Sequence, residues 1–392
     1  MSCAANELVD KFESFVREKL PQLAAQETIW FDDATQAPCG RIVLYGMGSL
    51  GRLLFAVLRR LGIGVVAVAD KHLSARQNEI EGVPCVSAAR ACADYGSDAV
   101  FIVAIFNQTG EKAFSKIKAS LEELGARQVV YFLSFLWKHA EAFLPYYSLD
   151  LPSKLLGCEA QIMRVFNALG DKQSRADYAF FVYQLSHPSP ILTYPVADRD
   201  TYFPADIVEL TGAEAFLDGG AFDGDTLVEL ARRTGGHFDS YVGIEPDPAN
   251  LHALERRILS LRDQVDGHLV AKASAIGSKP GELPFKADGQ LGSALDPSGT
   301  TTVPVRPLAD LLDGIVPSFI KLDIEGAELD ALLGARNLLT KTKPKLAVCV
   351  YHRQSHFWRI PSLMREINPS YKVFFRRHRE YLDDIVAYAI PA

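Results

Sequence analysis

The chain has 392 residues, 48% hydrophobic and 23% charged, which supplies two cores where a single core usually stops growing at about 250 to 300 residues. A net charge of −7 and a pI near 5.8 give no overall basic footprint for nucleic acid or an anionic membrane. No apolar run approaches the roughly 20 residues of a membrane span, so the expected partners are small molecules or saccharides, with no nucleic acid and no membrane span.

From the amino end, residues 6–20 read as an amphipathic helix with Leu8, Phe12, Phe15, Val16 and Leu20 on one face, ending before Pro21. No signal-peptide core is visible, and cysteines 3, 39, 85, 92, 158 and 349 are scattered without a CxxC pair. That usage suits a reducing compartment, with most of the thiols as small buried hydrophobes, and a cytoplasmic location is expected.

Residues 41–45 read as a strand, Gly46-Met47-Gly48-Ser49-Leu50-Gly51 matches GxGxxG, and a helix follows over 50–61. A second strand, 65–69, ends in Asp70, 24 residues beyond Gly46, which is near the spacing of a dinucleotide fingerprint. Further strands over 99–106 and 129–132 complete an open α/β unit, and Val129–Trp137, the longest conspicuous apolar run, is strand-length. No acid precedes Gly46, so phosphates would be accepted, although the same glycines also serve helix-on-strand packing. A reductase of the short-chain type needs Tyr-x-x-x-Lys, and none of the 14 tyrosines has lysine four residues later. This half is similar to small Rossmann-like nucleotide-sugar-binding units. The connector, 146–205, carries helices over 159–168 and 174–185, then a Pro-containing loop ending near Tyr202-Phe203.

The carboxyl half, 206–392, holds the strongest signals. FLDGGAFDGDT at 216–226 is a strand ending in Asp218 and turning through Gly219, Gly220 and Gly224. An acid there would repel a pyrophosphate but suits the ammonium of a methionine moiety, as in S-adenosylmethionine. Glu245, 27 residues further on at the end of the next strand, suits the two hydroxyls of a ribose. In FIKLDIEG at 319–326, Lys321 and Asp323 share one strand face, where an unpaired charge would cost several kcal/mol, so pairing or a ligand is required. Glu325 and Glu328 flank the following glycine, and Leu346–Tyr351 reads as the fifth strand.

The run IKLDIEGAE, with DGGAFDGDT upstream and VYHR at 350–353, strongly resembles the FkbM-type S-adenosylmethionine-dependent methyltransferases from near Tyr202 onward. Pro307 and Ala309 depart from the threonine and aspartate frequent in that family. The resemblance implies methyl transfer to a hydroxyl of a sugar, polysaccharide or secondary metabolite. It also implies an α/β architecture of two Rossmann-like doubly wound sheets, the second a class I methyltransferase fold of seven strands with an antiparallel last hairpin. Domains are expected at 1–145, 146–205 and 206–392.

The cofactor set expected is Asp218, Gly219, Gly220, Gly224, Asp225, Glu245, Pro246, Ser274, Ala275 and Asp323, and the catalytic set is Asp323, Glu325, His352 and Lys321. His352 is the best-tuned base by intrinsic pKa, about 6.5, and Lys321 suits holding carboxylates in place. A divalent metal on Asp323, Glu325, Glu328 and His352 is a weaker alternative, and no metal is expected. Arg376-Arg377-His378-Arg379 reads as the loop of the last hairpin, either solvated or on an anionic acceptor. A nucleotide-sugar-binding oxidoreductase driven by the first half is the alternative function, and both a nucleotide-sugar acceptor and a homo-oligomer stay open.

Overall fold

The computed structural model describes residues 3–35, 41–106, 112–190, 196, 200–286, 294–295, 299–379 and 381–392. It divides into two units, one of Met1–Ala160, Ala179–Pro195 and Glu380–Leu382, the other of Gln161–Tyr178, Val196–Arg379 and Asp383–Ala392. The helix Lys172–Leu185 therefore supplies residues to both, as does the expected connector that contains it.

In the first unit, strands β1 (Ile42–Tyr45), β2 (Val65–Ala69), β3 (Glu79–Ile80), β4 (Val83–Val86), β5 (Val100–Val103) and β6 (Gln128–Tyr131) lie in the order β3-β4-β2-β1-β5-β6. All neighbours are parallel except β3 with β4. The central strands are Val- and Ile-rich with little polar alternation, as strands buried on both faces require. Val129–Trp137 is not one strand: it splits into the end of β6 and a helix, Phe132–Lys138, because a short apolar run carries no period to separate the two. The first helix likewise runs past the expected stop. Cys3–Ser14 continues through a π-helical turn, Phe15–Lys19, into Leu20–Ala24, with Pro21, which has no N–H to donate back along the helix, just past the π-helical turn.

The second unit carries β7 (Ala215–Gly219), β8 (Ser240–Ile244), β9 (His268–Lys272), β14 (Phe319–Leu322), β15 (Lys345–Cys349), β16 (Lys372–Arg377) and β17 (Ile385–Ile390). Their order is β16-β17-β15-β14-β7-β8-β9, with β17 antiparallel to both its neighbours. The chain reverses direction across the sheet between β7 and β14, and a crevice opens at the carboxyl ends of such a pair. A four-stranded sheet of β10 (Ala275–Ile276), β13 (Thr301–Arg306), β11 (Gly281–Lys286) and β12 (Ala294–Leu295) was not expected from the sequence. It has its own small core of Ala275, Phe285, Val303 and Val305.

Among the described cysteines, 85, 92 and 349 are buried free thiols and 158 is half-buried. No described helix is long and apolar enough to cross a membrane.

Candidate active site

The loop after β7 is shaped by close approach of two backbones. Gly220 has φ +75°, and a Cβ there would stand 1.8 Å from the Asp323 carbonyl oxygen, so only glycine lets β7 and β14 end side by side. Its N–H and that of Ala221 donate to the Ile244 carbonyl at 3.0 and 3.1 Å, tying the loop to β8. Gly224, φ +83°, starts the helix Asp225–Thr234, and Gly219 packs against Ile276 and Leu322.

Asp218 is not where the sequence reading puts it. Its side chain is wholly buried behind the loop, 2.8 Å from Lys321 Nζ, and accepts a hydrogen bond from the Tyr241 hydroxyl at 2.7 Å. Direct contact with a ligand ammonium is replaced by an internal ion pair, because the strand turns the side chain into the sheet's interior. Lys321 Nζ also donates to the Gly220 carbonyl at 2.6 Å and lies 4.9 Å from the Tyr202 ring centre. Burial disfavours its ammonium, but the carboxylates of Asp218 and Asp323 outweigh burial and raise its pKa.

Glu245 closes the other wall. Its carboxylate accepts from the Phe222 and Asp247 backbone N–H groups, both at 2.9 Å. Burial pushes its pKa up to about 7, against the pull of those two donors. Asp247 caps the helix Pro248–Leu261, accepting from Ala249 and Asn250 at 2.8 and 3.3 Å. The Ser274 hydroxyl is turned onto backbone carbonyls of Ala275 and Pro304.

At the end of β14, Asp323 accepts from the Tyr202 hydroxyl at 2.7 Å and the Tyr351 hydroxyl at 3.4 Å. The chain then turns through Glu325, a non-glycine residue at φ +53°, and Gly326 at φ +100°. Beneath the turn, buried Glu328 accepts from the backbone N–H groups of Ile324 and Gly326 at 3.0 and 3.2 Å. It also faces His352 Nδ1 at 2.6 Å and His356 Nδ1 at 3.2 Å. His352 Nε2 points the other way, 3.3 Å from Asp323 and 3.7 Å from Glu325.

This surrounding differs from the one expected for a base tuned near neutrality. Burial disfavours its charge, but Glu328, Asp323 and Glu325 outweigh that and raise its pKa to about 9, so at neutral pH it already holds its proton. Asp323, Glu325 and His352 offer ligand atoms within 4.8 Å of one another, close enough for a cation. Glu328 is not in that group.

These elements enclose a cavity of about 270 Å³ in which Gly220, Asp225, Glu245, Pro246, Ser274, Ala275, Lys321, Asp323 and Glu325 all present surface. Asp218, Gly219, Gly224 and His352 stand behind it. The wall also takes Tyr351, Arg379 and Asp384, together with Asn250 and Phe285, which sequence reasoning did not single out. Tyr351 lies within the VYHR run, whereas Phe285 arrives from a distant segment with no local signal. Of the basic run, Arg376 and Arg377 lie inside β16 and are buried. Arg376 binds Asp171 and Asp206, each at 2.6 Å, Arg377 faces Asp177 at 3.8 Å, and His378 Nε2 meets the Tyr388 hydroxyl at 2.7 Å. Only Arg379 of the four reaches the cavity, where it is bound to Asp384 at 2.6 Å, so neither a solvated loop nor an anion-binding cluster describes this run.

The GxGxxG loop of the first unit repeats part of this geometry. Met47 N–H donates to Asp70 at 2.9 Å as Phe222 N–H does to Glu245. Both Asp70 oxygens are engaged, the other by His72 and Leu73 N–H groups at 2.9 Å. A Cβ at Gly51 would lie 2.1 Å from the Gly46 carbonyl oxygen, so that glycine is required for helix-on-strand packing.

Residues 218–385 match the family model described as Methyltransferase FkbM domain. No curated protein matches the chain. Among solved structures, a methyltransferase FkbM from Methylobacillus flagellatus KT superposes with a TM-score of 0.78 at 21% identity, covering 96% of this chain and 100% of its own. A fibrillarin from Aeropyrum pernix, solved with natively bound S-adenosyl-L-methionine, aligns at 12% identity over 47% of this chain and 70% of its own, with a TM-score of 0.28.

Proposed function

We propose that the chain is an S-adenosylmethionine-dependent methyltransferase that methylates a hydroxyl oxygen of an uncharged sugar or similar polyol, a reading supported by the match of residues 218–385 to the FkbM methyltransferase family model. The observation that carries the reading is Asp323, a carboxylate open to the cavity and held there by Tyr202 and Tyr351.

The residues present fit the donor. Glu245 keeps acceptor capacity beyond its two backbone donors and would hold the ribose hydroxyls. Pro246, Asn250 and Ser274–Ile276 would border the base, and Gly220 leaves the loop backbone without a side chain in the way. Bound there, S-adenosylmethionine supplies an electrophilic methyl group on a positively charged sulfur.

Asp323 accepts the proton of the acceptor hydroxyl as the oxygen is aligned with the methyl group. The His352 imidazolium lies 3.3 Å from Asp323 and 3.7 Å from Glu325, acting as a positioning residue beside the reacting oxygen. The Lys321–Asp218 pair fixes the loop backbone through the Gly220 carbonyl.

Lining cations are Lys321 and Arg379, each already paired with an acid, while Asp225, Glu245, Asp323 and Glu325 add negative charge. An anionic acceptor would meet net repulsion, which favours a neutral hydroxyl. Transfer of label from S-adenosylmethionine to a panel of neutral glycosides, with sugar phosphates alongside, tests this. Labelling confined to the phosphates, or to amines, would reject the acceptor class.

A further inference from the structure

On the second unit, a groove of about 610 Å³ separate from the catalytic cavity runs between the helices Glu159–Ala168, Glu328–Gly334 and His356–Ile367. Its accessible apolar surface comes from Leu333, 46% exposed, and half-buried Leu329, over a floor of buried Val165 and Trp358. Around it stand Arg164, Arg336, Arg359 and Arg365 against one acid, Glu366. Arg336 faces Glu366 at 3.5 Å, whereas the guanidinium groups of the other three arginines make no ion pair or hydrogen bond among the described residues. Three uncompensated guanidinium groups on one groove, in a chain of net charge −7, constitute a local field opposite in sign to the whole protein.

We propose that this groove docks an acidic amphipathic helix of a partner protein, its apolar face on Leu333 and Leu329 and its carboxylates on Arg164, Arg359 and Arg365. A helix-in-groove contact needs an apolar trough with charge along the edge, which is what these three helices present. A bilayer surface fits worse, since insertion needs protruding apolar side chains and this apolar surface is concave. A nucleic acid fits worse also, because the one aromatic residue lining the groove, Trp358, is 6% exposed and offers no stacking face.

The test is fluorescence anisotropy with a dye-labelled synthetic amphipathic helix of leucine and glutamate, its lysine counterpart, and anionic phosphatidylserine vesicles. The glutamate peptide should bind, weaken as salt rises, and lose at least about tenfold in affinity in both Arg359→Glu/Arg365→Glu and Leu333→Asp. Arg262→Glu, on an exposed helix end elsewhere in the unit, should bind as the parent does. The variants should keep the parent's thermal shift with S-adenosylhomocysteine, which separates loss of docking from loss of fold. Equal binding of the lysine peptide, unchanged affinity in both groove variants, or binding to vesicles alone would overturn the proposal.

Discussion

Lys321 and Asp218 lie 2.8 Å apart with side chains 3% and 0% exposed, one strand apart in register, behind the loop that borders the catalytic cavity. Removing one partner leaves the other as an uncompensated buried charge. Asp218→Ala should therefore cost about 3–5 kcal/mol in denaturant unfolding. Asp218→Leu with Lys321→Met should recover much of that stability. The double variant should still bind S-adenosylhomocysteine weakly in calorimetry, since the Gly220 carbonyl loses its anchor. Equal stability of single and double variants would contradict the pairing.

Glu245 makes cofactor affinity depend on pH. Ribose hydroxyls donate to the ionised carboxylate, so binding favours the deprotonated form, and its pKa in the unliganded protein is about 7. Affinity for S-adenosylhomocysteine should fall as pH drops below about 7, by at most about tenfold per unit, and level off above about 8. The unliganded fold shows the opposite sign, because a raised acid pKa means the folded state binds the proton more tightly. Calorimetry across pH 5.5 to 8.5, as an approximate working range, should lose this slope in Glu245→Gln.

For His352 the linkage to the fold has the same sign as that of Glu245. Its pKa is raised from 6.5 to about 9, so the stabilisation is complete below about 6.5 and is lost as pH rises through about 9. Melting temperature should decline across that window in the parent and lack this component in His352→Gln. Methyl transfer by His352→Gln should drop by about tenfold or more, with KM for the methyl donor little changed, because Glu328 and Asp323 lose their shared cation.

The proposed mechanism places the His352 imidazolium beside Asp323 and Glu325 and calls on no metal. Methyl transfer should proceed within about twofold of its rate in the presence of a chelator; a rate abolished by chelator and restored by a divalent cation would show the three residues to be metal ligands.

Glycine identity separates the two loops. Gly220→Ala puts a methyl carbon on the Asp323 carbonyl and an unfavourable φ on the chain, so the thermal shift with S-adenosylhomocysteine should vanish. Gly48→Ala in the first unit meets nothing within 4 Å at φ −70° and should change stability by less than about 1 kcal/mol.

The sequence by itself determined which strands end in acids. Short apolar runs closed by Asp218, Glu245 and Asp323 announce parallel strands whose carboxyl ends meet in one crevice, and period-2 alternation puts Lys321 beside Asp323 in any sheet. The tertiary structure decided what each acid faces. Asp218 and Asp323 have the same local signature, yet one neutralises a buried lysine and the other opens onto the cavity, since β7 is central and the chain leaves β14 through a turn. His352 carries an intrinsic pKa near neutrality until Glu328 arrives from the helix Glu328–Gly334, and Arg376 reads as a hairpin tip until Asp171 and Asp206 enclose it. Local pattern fixes where a charge sits along the chain, whereas its energy depends on burial and on partners distant in sequence, which only the folded chain brings together.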